Sequence, residues 1–378
     1  MRCDIFCKVI DNYGDVGVCW RLAKQLHNEY AVTVRLWIDD LACFATLNPA
    51  VKTDSAEQWL EGVLVVCWQD KLLDLRPADL VIEAFACFLP EVYIEAMQKK
   101  TVAPIWVNLE YLSAEPWVTD FHLLPSPHAQ SHLKKTFFFP GFGAKTGGLI
   151  QEASLRSRLQ ATDSMQLFAE LGADFVDGQI KVSLFCYPDE MILKLLQVWA
   201  NADQPLCCFL PQGLASVEIA HFFSQEELRL GQHYQCCNLT VVVIPFLSQD
   251  KYDQLLCSCD INFVRGEDSF VRAQLVAKPL VWHIYRQEDG VHLDKLSAFI
   301  QLYRQGMSLA AQDALLNLWQ AWNQNATLAA LQQAWHDYLL VLNELQQHAV
   351  CWQKQMAEHN LARNLLNCYQ KMGTIARF

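Results

Sequence analysis

No C-x-x-C pair occurs among the fifteen cysteines of this 378-residue chain, and without that spacing a structural zinc site is not expected. The cysteine count is odd, and many thiols fall on strand-like runs (Cys3, Cys7, Cys67, Cys186, Cys207, Cys208), where a reduced thiol packs as a small hydrophobe. The chain is also long, unlike a small disulfide-stapled secreted scaffold, so a reduced, cytoplasmic protein is expected. Apolar runs, of which residues 239–247 are among the longest, stay well short of the roughly 20 residues that a membrane span needs. No charged-then-apolar leader precedes the first strand-like run, which argues against a secretory signal. Basic residues are few: 29 Lys and Arg against 41 Asp and Glu give a net charge of −12. That deficit disfavours generic nucleic-acid binding. It would suit a basic protein partner, although many soluble proteins are acidic for solubility alone.

Several chemical signatures are missing as well. There is no G-x-x-x-x-G-K-[ST] phosphate loop, no G-x-G-x-x-G dinucleotide fingerprint and no G-x-S-x-G nucleophile elbow. No Asp-x-Asp pair occurs, so the metal-chelating motif of single-Rossmann sugar transferases is lacking. His122, His128 and His132 are too loosely spaced for a convincing metal site, and no metal is expected.

What the chain does contain is a repeated strand–helix rhythm. Its length exceeds one ordinary core, so two domains are expected, and the 52% of hydrophobic residues are spread along both halves. Residues 3–10, 32–38, 63–68, 80–86 and 105–109 read as buried strands, with helical spacing at 16–30 and 90–99. Between residues 114 and 148, prolines and the glycine-rich run 141–148 read as loop and as a plausible domain margin. The rhythm then resumes. Strands are expected at 181–186, 206–210, 239–246, 261–264 and 280–284, and helices at 165–171, 189–200, 249–257 and from 270; beyond residue 292 the pattern is almost wholly helical. Two doubly wound α/β domains with a cleft between them follow, with ligands expected beyond the carboxyl ends of the strands.

Two turns stand out within that frame. In "VIDNYGDVGVCWRLAKQL" (residues 9–26) Asp11 and Asp15 fall where a strand hands over to a helix. Capping would account for one acid and leave the other without a role; catalysis would use both. In "NFVRGEDSFVRAQ" (residues 262–274) the same layout carries Arg265, Glu267, Asp268 and Ser269. These residues could cap the helix and form a surface ion pair. They could equally bind a phosphate or diphosphate through free N–H groups, a hydroxyl and an arginine fork. Phe185, Tyr187 and Phe246 end strands, with Gln249 close to the last. They read either as core or as a slot in which a nucleobase stacks.

These motifs carry a resemblance. The stretches "IFCKVIDNYGDVGVCWRLA" (5–23), "NLEYLSAEPWV" (108–118), "FFFPGFGAKTGGL" (137–149), "VSLFCYP" (182–188) and "DINFVRGEDSFVRAQ" (260–274) resemble the EarP family of bacterial protein-arginine rhamnosyltransferases, which modify elongation factor P. The likeness runs over essentially the whole chain. It implies a GT-B fold of two Rossmann-like domains facing a central cleft. Residues 1–155 would bind the acceptor protein, with a C-terminal helix at about 358–378 packing back on them, and residues 156–357 would bind dTDP-β-L-rhamnose. It implies inverting, metal-independent transfer of L-rhamnose to an arginine of elongation factor P, which activates that factor for ribosomes stalled at polyproline. No cofactor is implied beyond the donor substrate. Asp15 would be the general base, Asp11 its support, and Glu267 would act near the anomeric carbon. Arg265, Asp268 and Ser269 would hold the dTDP moiety, Phe185 and Phe246 would grip thymine, and Tyr187 and Gln249 would hydrogen-bond the nucleotide. A GT-B transferase with another nucleotide sugar and a small acceptor is the alternative.

Overall fold

The computed structural model describes residues 1–10, 13–68, 76–126, 133–173 and 178–375. The chain divides into two compact units, Met1–Ala153 with Met356–Phe378, and Ser154–Gln355.

The first unit opens with β1 (Arg2–Cys7), α1 (Tyr13–Tyr30), β2 (Thr33–Ile38), α2 (Leu41–Leu47), β3 (Glu57–Leu60), β4 (Val63–Cys67) and β5 (Leu80–Ala84). It continues through α3 (Glu91–Gln98), β6 (Ile105–Leu109), α4 (Val118–Phe121), β7 (Pro125–Ser126) and β8 (Lys135–Phe138). The sheet order is β3-β4-β2-β1-β5-β6-β8-β7. All neighbours are parallel except the two edge pairs, β3 with β4 and β7 with β8. A parallel sheet covered on both faces needs near-continuous apolar strands; accordingly Cys3, Ile5, Phe6 and Cys7 of β1 are wholly buried. The one acid on that strand, Asp4, is met by the Arg35 guanidinium at 2.6 and 2.7 Å, the Ala78 N–H at 3.0 Å and the Tyr93 hydroxyl. The chain steps from β1 to β2 on one side and later to β5 on the other, so the order reverses beside β1. Gly148 takes φ +85°, and a Cβ there would lie 2.4 Å from the His359 carbonyl oxygen. Only glycine permits that approach, which lets the C-terminal segment dock on this unit.

The second unit holds α5 (Leu155–Gln160), α6 (Ser164–Glu170), β9 (Ile180–Leu184), α7 (Met191–Ala200), β10 (Leu206–Pro211), α8 (Val217–Phe222) and β11 (His233–Cys236). Then follow β12 (Leu239–Ile244), α9 (Gln249–Ser258), β13 (Ile261–Arg265), α10 (Asp268–Leu275), β14 (Leu280–His283), α11 (Val291–Tyr303), α12 (Leu309–Asn323) and α13 (Leu328–Leu340). Helix α14 (Leu342–Met356) closes this unit, and α15 (Leu361–Ile375) belongs to the first. The sheet order is β11-β12-β10-β9-β13-β14, parallel except for β11 at the edge. Here the order reverses between β9 and β13. Trp199, Phe263, Trp322 and Trp335 interlock beneath the helices with centroids 5.4–6.3 Å apart, Phe263 meeting Trp199 and Trp322 edge to face and Trp335 lying tilted against Trp199 and Phe263.

Three expectations change. The stretch 114–148 is not all loop: it contains α4, β7 and β8, and β8 joins the first sheet beside β6. Its four residues are too short a run to outweigh the prolines and glycines around it. Helix α1 begins at Tyr13, three residues before the apolar periodicity starts, so Asp15 lies inside its first turn. Strand β5 stops at Ala84 because Phe85 and Ala86 take φ +56° and +51°, a left-handed backbone that no strand accommodates. None of the fifteen cysteines, all among the described residues, forms a disulfide.

Candidate active site

The first cluster forms at the carboxyl end of β1. The backbone there leaves the ladder, and its amides need new partners. The Val9 N–H donates to Asp39 Oδ1 at 2.9 Å, and the Ile10 N–H donates to Asp15 Oδ2 at 2.8 Å. Asp15 is only 2% exposed, so this carboxylate is held in one orientation by the chain that leads into its own helix. Asp11 lies outside the described residues. Negative charge accumulates nearby. The Cys43 thiol is pushed up to about 12, first by burial and then by Asp40, Cys7, Asp15 and Asp39. The Cys7 thiol is raised by its hydrogen bond with Cys19, by burial, and by the same two acids, Asp15 and Asp39. Asp39 belongs to neither of the charged turns that stand out in the sequence. Its only signal is its place just past β2, ahead of Asp40, which caps α2 by accepting the Cys43 N–H at 2.8 Å.

The second cluster forms where β13 gives way to α10. Gly266 takes φ +57°, and that left-handed step turns the chain from strand to helix within two residues. The Ser269 hydroxyl donates to the Arg265 carbonyl oxygen and accepts the Arg265 N–H at 3.2 Å, which closes the turn. The Arg265 guanidinium is thereby aimed across the ends of the sheet. Its carbon lies 4.8 Å from the Phe185 ring centre and 4.7 Å from that of Tyr187, a cation packed on two aromatic rings. Phe185 also meets Phe246 edge to face, with centroids 6.4 Å apart at 71°. Asp268 is the first residue of α10 and accepts a hydrogen bond at 3.1 Å from the Gln249 side chain, the first residue of α9. The two helix starts are further tied by the buried pair Arg272–Asp253, bonded at 3.0 and 2.7 Å. Glu267 pairs with Lys295 of α11 at 3.2 Å. Tyr187 is seated by its N–H on His283 Nδ1 at 3.3 Å, and its ring meets Tyr285 at 5.5 Å. Burial, opposed by Asp189 and assisted by Arg286 and Arg265, drops His283 to about 4, so near neutral pH Nδ1 is free to accept that bond.

The structure therefore groups Phe185, Tyr187, Phe246, Gln249, Arg265, Glu267, Asp268 and Ser269 at one end of the second sheet, and places Asp15 at the equivalent point of the first. Both lie where strand order reverses, the position at which open α/β sheets bind ligands. Lys295 and Tyr285 escape a reading of the sequence because neither lies near its partners in the chain. Among the described residues, no group of three or more His, Cys, Asp or Glu side chains could hold a metal ion, and no helix is long and apolar enough to cross a membrane.

Residues 3–370 match the family described as Elongation-Factor P (EF-P) rhamnosyltransferase EarP. A protein-arginine rhamnosyltransferase of Pseudomonas putida is 47% identical over 373 residues, covering 97% of this chain and 98% of that protein. A solved structure described as the structural basis for EarP-mediated arginine glycosylation of translation elongation factor EF-P superposes with a TM-score of 0.69 at 36% identity, covering 98% of this chain and 99% of that one. The Acinetobacter baumannii MurG structure aligns at a TM-score of 0.53 with 12% identity, over 98% of this chain and 99% of its own; that likeness concerns the fold alone, which is GT-B.

Proposed function

The chain belongs to the EarP family of elongation-factor-P rhamnosyltransferases, and from that premise we propose that it moves L-rhamnose from dTDP-β-L-rhamnose to an arginine of elongation factor P, with inversion at the anomeric carbon. In this reading the modified factor then serves ribosomes stalled at polyproline. The observation that carries it is the Arg265 guanidinium resting on Phe185 and Tyr187 at the start of a helix. That combination suits a flat base joined to a diphosphate.

The acceptor sets the chemical problem. A guanidinium stays protonated, with a pKa above roughly 12, and its nitrogens are poor nucleophiles. Asp15, fixed by the Ile10 N–H, accepts the proton that the attacking nitrogen sheds as the new C–N bond forms. Asp11 supplies the second carboxylate, which pairs with a further N–H group and orients the attacking nitrogen. As the anomeric C–O bond breaks, negative charge gathers on the departing dTDP. Arg265 and the first N–H groups of α10 meet that charge, the task that an Asp-x-Asp-bound metal performs elsewhere. Ser269 acts through the shape of the turn and through its backbone N–H. Asp268 and Gln249 hold each other where the nucleotide would lie. Phe185 and Phe246 take thymine, one by its face and one by its edge. Glu267, partnered by Lys295, carries the negative charge that faces the positive character growing at the anomeric carbon.

The test is intact-mass spectrometry of elongation factor P after incubation with this protein and dTDP-β-L-rhamnose. The expected product carries one deoxyhexose on one arginine. Unmodified factor, or modification only by a different nucleotide sugar, overturns the reading.

A further inference from the structure

The motif Asn108–Leu109–Glu110–Tyr111 has no part in the mechanism above, yet it ends β6 at the same edge of the first sheet as Asp15. Register places it there: Phe6 of β1 pairs with Glu83 of β5, and Glu83 pairs with Asn108 of β6. Glu110 and Phe85 thus stand just beyond the carboxyl ends of β6 and β5. With strands about 4.8 Å apart, the β6 end lies roughly 10 Å from that of β1, so side chains from the two strand ends can converge on one guanidinium held between them.

Three features set this spot apart. The first is charge. Glu83 is 1% exposed and is held by Lys135 at 3.4 Å and by the Trp106 indole N–H at 3.1 Å. Glu110 is a second carboxylate beside the same ammonium. Its carboxyl is raised, first by burial, with Glu83 raising it further and Lys135 and the Asn108 hydrogen bond opposing. Two acids thus lie within the electrostatic influence of one buried cation, which pairs directly with Glu83, and a second cation would balance them. The second feature is an aromatic platform. The Phe85 and Tyr111 rings stack at 4.4 Å and 14°, with Phe85 buried and Tyr111 the half-exposed member. The third is an orphan acceptor: Asn108 is 3% exposed, its amide N–H donates to Glu110, and its Oδ1 has no hydrogen-bond partner among the described residues. A carboxylate, an aromatic face and a spare carbonyl oxygen together match one ligand, a planar cation with several N–H donors.

We propose that Glu110 and Tyr111, backed by Asn108 and Phe85, form the subsite of the first unit that receives the guanidinium of the acceptor arginine. This rests on the proposed function and adds the residues that recognise its acceptor. The guanidinium plane lies on Tyr111, and its N–H groups bond the Glu110 carboxylate and the Asn108 oxygen. Glu83 and Lys135 stay paired beneath as the charged floor. No bond is made or broken here; the subsite binds and aligns.

The test uses the full-length protein with elongation factor P and dTDP-β-L-rhamnose. Glu110→Gln keeps the size of the side chain and removes its charge. It is expected to raise the acceptor KM about 10- to 100-fold, with donor affinity by calorimetry and the thermal midpoint close to wild type. In the wild type, acceptor KM falls as rising pH ionises Glu110, whose neighbours on β5, β6 and β8 are Glu83, Asn108 and Lys135. Glu110→Gln loses that slope and Glu110→Asp recovers part of it, which a merely structural partner of Lys135 would not show. A wild-type KM and slope in folded Glu110→Gln overturns the subsite. If that variant fails to fold, Tyr111→Leu decides: a several-fold rise in acceptor KM supports the proposal, and an unchanged KM overturns it. A wild-type enzyme that leaves elongation factor P unmodified overturns the function and the subsite together, whereas active wild type with an indifferent Glu110→Gln removes the subsite alone.

Discussion

The β1–α1 and β13–α10 turns share one local plan and present groups of opposite charge, Asp15 in the first and Arg265 in the second. Each follows a strand at the point where its sheet reverses order, and each locks its polar residue with backbone hydrogen bonds. In the first, the fixed group is the buried acid Asp15, held by the Ile10 N–H. In the second, Ser269 fixes the turn and leaves the Arg265 guanidinium on two rings. In the proposed reaction one scaffold would serve a cationic nucleophile and an anionic leaving group, because the strand end supplies only position and the turn residues supply the group that meets each charge. The two turns also differ in reserve. The second is tied from behind by the buried Arg272–Asp253 pair, whereas the first leans on exposed Asp39.

Substitutions can break this contrast one side at a time. The largest effect is expected from Asp15→Asn, which still accepts the Ile10 N–H and cannot take a proton. Transfer should fall by about 10²- to 10⁴-fold while dTDP binding, measured by calorimetry, stays near wild type; normal turnover would remove Asp15 from its role. Asp253→Ala would strand the buried Arg272 charge and cost about 3–5 kcal/mol. Denaturant unfolding should show that loss in the second unit, and a wild-type midpoint would contradict it. Arg265→Ala should weaken donor affinity about 10- to 100-fold through a lost charge-assisted bond, with acceptor binding unaffected. Unchanged donor affinity would take the diphosphate away from this turn. The smallest effect concerns pH. His283 sits near 4 when folded and near 6.5 when unfolded, so the unfolded chain binds its proton first. Its contribution is complete above about pH 6.5 and fades as pH falls toward 4, costing about 2 kcal/mol by pH 5. Thermal midpoints measured from pH 7 to 5 should fall less steeply in His283→Asn than in wild type. Glu110 in the first unit is shifted the other way: raised when folded, it adds stability at low pH and loses it as pH climbs through its folded value.

Much of this design is legible in the chain. Apolar runs of five or six residues separated by helical spacing mark the strands of both sheets, since a strand covered on both faces has no polar side to hide it. The abrupt polar turns after residues 10 and 264 mark strand ends at which the sheet order reverses. Other features resist such a reading. Strand β8 is four residues long and is held by pairing with β6, a long-range ladder that leaves almost no local signature.

The sequence by itself determined the alternation of strand and helix, the two charged turns and their signs, because these follow from side-chain periodicity and composition within a few neighbouring residues. Only the tertiary structure decided the partners: Asp39 beside the Asp15 turn, Lys295 on Glu267, the Arg265 guanidinium on Phe185 and Tyr187, and Phe85 stacked under Tyr111. These pairs join residues 26 to 80 positions apart, or meet through charge and ring contacts. Such contacts are specified by where strands end in a sheet, and no pattern along the chain encodes that directly.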